Sequence, residues 1–529
     1  MSALAFIVVT LVAVYLVAIL GIGIVGYRKL KVNVDDFYVV SRSLGAFVVF
    51  LTIAATYHSA FAVLTSTAVA VGQGVGWFVG SAVWTLLAAL VSWFIGTRYW
   101  QVGKRFGYVT LADLISDFYQ STLIRAVIAI VMAIFVIPYI AVQSVAFGLM
   151  LDIGTEGFIT YEVGAGLLSL VAIAYCVAAG QRGAAWTDVL QGIWMYIVVW
   201  LVGLVVMFNA VGSPAALFSE VREIDPALLG VVGEGWSHPL ALFSSTILFG
   251  IALVIGLQHI QMKFYAARDA GTIKLSSVWM AVYLSSIYIP PVLTGLTAVV
   301  LIDRGVLPPV EEIEAQFGTA DAVLPLIAVE FAPAILVGLL FAGAIAAATS
   351  TKDNFLLATA VVLTRDLYQN VFRPDAPQRQ LVILSRVVIV VFGLLGYYVA
   401  LLQPGLIFDL VALSVAGVLQ FVPAIVTVLF PSGRLRVWLT SAGATAGIVV
   451  GVVLTMTLTF PDWFGLAIDP HPFALHGGLW GLAGNLVVGA VVSRFTRQPP
   501  EESVARIHGH LEQANYGTHA EADAGQRDG

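Results

Sequence analysis

The chain has 529 residues, of which 60% are hydrophobic and 11% charged, against roughly 25% charged residues in a soluble globular protein. With a mean hydropathy of +0.96 and no long polar stretch, most of its surface must face lipid rather than water, which excludes a set of soluble domains. The net charge of −6 comes without a basic patch, which argues against nucleic-acid binding. The single cysteine, Cys176, excludes an intrachain disulfide and a thiolate metal site.

A helix needs about 20 apolar residues to cross the hydrocarbon core. In chain order such runs fall near 4–27, 44–72, 76–98, 122–152, 156–179, 186–211, 239–259, 273–302, 333–365, 381–402, 405–430, 437–460 and 473–494, predicting an all-α polytopic membrane protein of 13 transmembrane helices. The first run has no basic leader and is followed by Arg28, Lys29 and Lys31, which makes it a membrane span and not a signal peptide. The basic residues segregate: 22 of the 25 fall in the tail and in loops of one side, leaving Arg222 and Arg304 opposite and Lys352 inside a span. By the positive-inside rule that side is cytoplasmic. The expectation is a multi-pass plasma-membrane protein with its N-terminus outside and its C-terminus inside.

The larger outer loops, 212–238 and 303–332, are acidic, and the second is expected to hold a short helix at 320–330. An inner helix is expected at 110–118, begun by Thr110 as N-cap. The tail from Gln498, with Pro499-Pro500 and mixed charge, reads as disordered. Its histidines, His508, His510 and His519, read as solvated rather than metal-binding.

Polar groups inside the spans are costly and mark pathways, pairs or helix contacts. Three stretches stand out: Ala54-Ala55-Thr56-Tyr57-His58-Ser59-Ala60, Trp186-Thr187-Asp188, and Thr349-Ser350-Thr351-Lys352-Asp353-Asn354. A dehydrated sodium ion needs several hard oxygens, which an unwound helix and neighbouring hydroxyls can provide. The alternatives are plain: Ser350 and Thr351 can bond their own helix, Thr187 or Asp188 can cap a helix start, and Lys352 can snorkel to the inner interface. Asp353 is too short to snorkel and requires a partner, a cation or a proton.

These stretches resemble the sodium:solute symporter family, which includes sodium/proline, sodium/pantothenate and sodium/glucose carriers. Asp35-Asp36-Phe37-Tyr38 with Ser41-Arg42-Ser43-Leu44-Gly45 resembles the loop before its second span. Trp186-Thr187-Asp188-Val189-Leu190-Gln191 matches its W-T-D-x-x-Q pattern. Gln258 with Lys263-Phe264-Tyr265-Ala266-Ala267-Arg268 is similar to its segment after the seventh span, and Ser350-Thr351-Lys352-Asp353-Asn354 resembles its S-T-x-D-S variant. The pattern is nearest to the pantothenate and monocarboxylate carriers.

The resemblance implies a LeuT-like core of 5+5 inverted repeats. The expected units are a first helix and inner loop (1–43), a first five-helix repeat (44–211), an outer loop (212–238), a second repeat (239–430), two peripheral helices (431–495) and the tail (496–529). It implies a main sodium site from carbonyls of Ala54, Tyr57 and Ala347 and hydroxyls of Ser350 and Thr351. A second cation or proton site would use Asp188, Asp353 and Asn354. Ser59, Phe61, Trp84, Gln143, Gly250 and Leu253 would line the solute pocket, too apolar for a sugar. The implied activity is sodium-coupled import of a small organic solute bearing a carboxylate (pantothenate, a monocarboxylate or an amino acid). The ligands are the solute and sodium, the surroundings are lipid, and no obligatory protein partner is expected. A proton-coupled carrier and a non-transporting membrane sensor remain the alternatives. No nucleophile–base pair or His/Glu metal set marks an enzyme.

Overall fold

The computed structural model describes residues 1–28, 42–230, 239–402, 407–431, 437–469 and 471–517. Among them there is no strand beyond one isolated bridge between Leu44 and Ala267. In chain order the helices are α1 (Ala3–Arg28), α2 (Ala46–Tyr57), α3 (Ser66–Val91), α4 (Thr97–Phe106), α5 (Leu111–Tyr119), α6 (Thr122–Gly154) and α7 (Tyr161–Ala210). Then come α8 (Pro214–Ile224), α9 (Pro239–Ile255), α10 (Gln258–Ala266), α11 (Ala270–Ser286), α12 (Ile289–Asp303), α13 (Val310–Phe317) and α14 (Val323–Phe331). The last are α15 (Ala334–Val361), α16 (Gln378–Leu401), α17 (Ile407–Leu419), α18 (Val422–Leu429), α19 (Ser441–Thr459), α20 (Gly477–Phe495) and α21 (Glu501–Tyr516).

Ten helical stretches among the described residues are long and apolar enough to cross a membrane, twelve when each of two bent pairs counts as one span. The expected spans at 156–179 and 186–211 lie on one continuous helix, α7, as the apolar stretches Tyr161–Ala178 and Ala184–Ala210. The expected spans at 44–72 and 76–98 are arranged differently from two plain helices. The first breaks after Tyr57 and resumes with a π-helical turn at Phe61–Thr65, and helix then continues to Phe106. Within it Gly74 alone takes non-helical angles (φ 54, ψ −137). A Cβ there would sit 1.9 Å from the Leu228 carbonyl oxygen, so only glycine fits.

The two bent pairs are α9/α10, at 48°, and α17/α18, at 43°. The last carbonyls of a helix have no partner within it, and at each break another helix satisfies them. At the end of α2, Ala54 accepts from His58 N, while Ala55 and Thr56 accept the hydroxyls of Ser350 and Thr351. At the end of α9, Ile255 accepts from the Tyr99 hydroxyl, 3.1 Å away, and from Gln261. At the α17/α18 bend, Gln420 accepts from Asn485 at 2.7 Å.

The inner helix begins as expected, with Thr110 Oγ1 accepting from Asp113 N at 2.9 Å. The loop helix expected at 320–330 is a 3₁₀ turn, Ala320–Ala322, followed by α14. The tail departs from the expectation of disorder. Helix α21 buries Val504, Ile507 and Leu511. Arg506 pairs with Asp117 at 2.7 Å, and Asn515 and Gln101 exchange amide hydrogen bonds. His508 and His510, expected in solvent, lie against the Thr427 and Gln101 carbonyls. His519 and the Asp35–Tyr38 motif lie outside the described residues.

Candidate functional site

The break in α2 and the hydroxyl pair of α15 meet. Ser350 Oγ stands 2.9 Å from both the Ala55 and Ala347 carbonyl oxygens, and Thr351 Oγ1 is 3.3 Å from the Thr56 oxygen. Partners 295 positions apart in sequence thus join the two helices. The carbonyls touched are Ala55 and Thr56, between the expected Ala54 and Tyr57. Ala54 is engaged by His58 N at 3.0 Å. The Tyr57 hydroxyl is buried with no hydrogen-bond partner among the described residues.

One turn on, Asn354 Nδ2 donates to the Ser350 carbonyl at 2.7 Å and to both Asp188 oxygens, at 3.2 and 3.1 Å. Asp188 also pairs with Lys263 at 3.0 Å, both side chains being 1% exposed. Two expectations are corrected here. Lys263, read as a basic loop residue, lies inside the protein, because the bend after Ile255 carries α10 back into the bundle. Asp188 is no helix cap, because α7 runs unbroken through it.

Asp353 points elsewhere, with the Cys176 thiol donating to its Oδ1 at 3.5 Å. Lys352 does not reach an interface: its side chain is fully buried, and its ammonium donates to the Ser144 and Ser169 hydroxyls. Gln191, the last residue of the W-T-D-x-x-Q stretch, ties α7 to α1 and α15. It donates to the Tyr15 hydroxyl at 2.7 Å and to Thr349 Oγ1 at 3.0 Å.

Of the residues expected around a solute, Phe61 and Trp84 come together in an aromatic cluster. Phe61 stacks on Phe249 (5.9 Å) and approaches Trp77 (6.2 Å) and Phe408 (6.0 Å); Trp84 stacks on Phe249 at 5.2 Å. Gly250 serves close packing instead, since a Cβ there would meet the Trp84 carbonyl oxygen at 2.9 Å. Leu253 is buried, and Ser59 Oγ accepts from Phe61 N at 3.2 Å. Gln143 donates to Tyr139 in its own helix, leaving its Oε1 buried without a partner among the described residues. Phe249 and Phe408 were not singled out from the sequence, where a lone aromatic in an apolar run carries no mark.

At the α9/α10 bend a small cavity of about 20 Å³ is lined by Val136, Leu257, His259, Phe355, Thr359 and Val418. On the side of α5 an ionic lock joins the helices. Arg125 meets Asp113 at 2.9 Å and Asp366 at 3.2 Å, and Arg365 meets Asp113 at 3.3 Å. Gln258, the first residue after the bend, bonds Leu111 N and the Val109 carbonyl, both at 3.0 Å.

The profile of the sodium:solute symporter family matches residues 37–451. The osmoregulated proline transporter OpuE of Bacillus subtilis (strain 168) is 27% identical over 519 residues, covering 94% of this chain and 96% of its own. The sodium/pantothenate symporter of Escherichia coli (strain K12) is 26% identical over 504 residues, covering 93% and 97%. Among solved structures, a Na+-coupled sialic acid symporter in a substrate-bound outward-open state superposes with a TM-score of 0.77 at 18% identity, over 94% of this chain and 99% of that one. A nucleobase-cation-symport-1 family transporter in a closed conformation gives 0.55 at 14% identity, over 91% and 99%. The chain thus has the fold of these carriers, and it belongs to the sodium:solute symporter family, as a multi-pass membrane protein that couples the movement of sodium to that of a solute.

Proposed function

We propose that the chain imports a small carboxylate-bearing solute with sodium by alternating access, the ion sitting between the α2 break and the hydroxyls of Ser350 and Thr351. The observation that carries this reading is the contact of those two hydroxyls with the Ala55 and Thr56 carbonyls. Helix-end carbonyls and neighbouring hydroxyls are the hard oxygens a dehydrated alkali ion takes as ligands. Ala54, Tyr57 and Ala347 complete the proposed shell.

Thirteen spans follow when Phe61–Phe106 is divided at Gly74. As one straight helix its 46 residues would extend about 69 Å, at 1.5 Å per residue, more than twice a hydrocarbon core of about 30 Å. The part before Gly74 then joins α2 as one interrupted span. On that count the first helix of each proposed five-helix repeat, at 44–211 and 239–430, is a broken one. The N-terminus is proposed to lie outside, which puts the ionic lock around Arg125 on the cytoplasmic side.

In this scheme sodium orders the α2 break, solute binds better, and by reciprocity so does sodium. Opening of the lock lets both leave inward. Each sodium that crosses adds about 2.3 kcal/mol per 100 mV of membrane potential. The solute would meet Phe61 and Trp84, with Ser59 and the free Gln143 Oε1 as its polar contacts. So apolar a wall fits a compact solute with one charged group better than a sugar. The named relatives carry proline and pantothenate, both of which bear a carboxylate. Uptake into proteoliposomes, with carboxylates, pantothenate and amino acids offered under sodium or potassium gradients, tests the reading. Uptake that ignores sodium refutes it.

Asp353 favours a second reading. A buried carboxyl that accepts from a weak thiol donor is costly as an anion, and it is where a coupling proton would ride in a carrier of the same fold. Uptake driven by a pH gradient without sodium would select that reading.

A further inference from the structure

Asp188 is the residue expected to help bind a second cation, yet its surroundings are built of donors. The Lys263 ammonium lies 3.0 Å from Oδ2, and the Asn354 amide nitrogen lies 3.2 and 3.1 Å from the two oxygens. The orientation of that amide is set independently, because the same nitrogen donates to the Ser350 carbonyl at 2.7 Å. Turning it over would set oxygen against oxygen. An ionised carboxylate offers about four lone-pair sites, and these contacts take most of them. They also turn positive hydrogens toward the place where an incoming cation would need oxygen ligands.

The pair is as buried as the hydroxyl site beside it, both side chains being 1% exposed. Inside the protein a lone carboxylate costs several kcal/mol unless a positive charge accompanies it. In a carrier with two transported cations, the second cation could be that charge. Here the chain supplies it from α10, just past the bend that follows Ile255.

We propose that the Lys263 ammonium takes the place of a second transported cation at Asp188, so that the chain carries one sodium ion per cycle. The inference rests on the sodium reading of the Ser350–Thr351 site and deepens it. The lysine stays with the protein through the cycle, so only the ion at the α2 break crosses with the solute. Lys263 is in this sense a positioning residue: it touches neither the transported ion nor the solute, and it keeps Asp188 closed to a second ion.

Sodium binding tests this without knowledge of the solute. Purified full-length protein is titrated with radioactive sodium in a scintillation-proximity assay, and bound ions are counted per chain. The wild type is expected to bind one. Ser350→Ala with Thr351→Ala is expected to bind none over the same concentration range. Lys263→Met is expected to bind two, and Lys263→Met with Asp188→Asn to return to one. Two ions on the wild type, or one left on the Ser350/Thr351 double variant, overturns the proposal while leaving a sodium-driven carrier intact. One ion on a folded Lys263→Met protein does the same. No ion on the wild type overturns the sodium-site reading and this inference with it. Should Lys263→Met fail to fold, Lys263→Gln, also without the charge, takes its place and is expected to bind two; one ion on it overturns the proposal.

Discussion

Replacing Ser350 and Thr351 by alanine, singly, probes the place where α15 meets the interrupted helix. The Ser350 hydroxyl reaches two carbonyls at 2.9 Å and the Thr351 hydroxyl one at 3.3 Å. A hydrogen bond to a charged group contributes about 1.5–3 kcal/mol, and we take an oxygen ligand on a bound cation to be worth a similar amount. At 1.4 kcal/mol per tenfold, each alanine should raise the half-saturating sodium concentration about 10- to 100-fold. The effect should be larger for Ser350, whose contacts are shorter and more numerous. Thr351→Ser, which keeps the oxygen, should stay near wild type. The assay is the initial rate of solute uptake into proteoliposomes against sodium at fixed potential. Melting of the purified variants alongside separates ion affinity from the stability lost when the Ala55 carbonyl forfeits its hydroxyl. A folded Ser350→Ala protein with unchanged sodium dependence would refute the assignment.

Further outcomes follow from other contacts. Arg125→Ala removes the ion pairs to Asp113 and Asp366 and leaves Asp113 with Arg365 alone, and it should favour the inward-open arrangement. A cysteine introduced at Thr359, in the cavity at the α9/α10 bend, should then react with a soluble thiol reagent about tenfold faster, which corresponds to about 1.4 kcal/mol; an unchanged rate would show that the lock does not hold the gate. Gly74→Ala puts a Cβ 1.9 Å from the Leu228 oxygen at a φ of +54 and should destabilise the protein by at least about 1–3 kcal/mol, read as a lower melting temperature and a poorer yield of monodisperse protein. Burial holds His508 below the ordinary histidine value, against the Thr427 carbonyl and Glu512, which pull it upward. The undocked tail therefore binds protons more readily than the docked one, and docking is fullest above about pH 6.5 and weakens as the pH falls below it. The protection of the amides across Glu501–Tyr516, taken relative to their intrinsic exchange rates, should fall from pH 7.5 to 5.5, and His508→Gln should remove that fall.

Much of the membrane architecture was legible because lipid enforces it: a run long and apolar enough to span can be little else. The meeting of the α2 break with Ser350 and Thr351 was legible only through the family pattern. His58-Ser59-Ala60 contains neither proline nor glycine, and nothing local announces that the helix stops at Tyr57. Lys263 was misplaced because a lysine after an apolar run, near Arg268, has the look of a loop residue. Only the 48° bend at α9/α10 reveals that the chain turns back into the protein. Lys352 had two readings, and its hydroxyl partners, Ser144 and Ser169, come from helices too distant in sequence to be matched to it. In the tail, the spacing of Val504, Ile507 and Leu511 is that of a helix with one apolar face. The flanking prolines and mixed charge masked it, although Pro500 in fact stands at the N-cap of α21.

Each of the three interruptions, after Tyr57, after Ile255 and at Gln420, has its loose carbonyls fastened by side chains from a different helix: α15, α4 and α20. A joint made this way behaves like a hinge with a removable pin. Rotating one segment exchanges one hydroxyl or amide partner for another or for water, at about 1 kcal/mol per hydrogen bond, while the helices on either side keep their own ladders. Rigid rods connected by such cheap fastenings can rock against each other at body temperature without melting any of them.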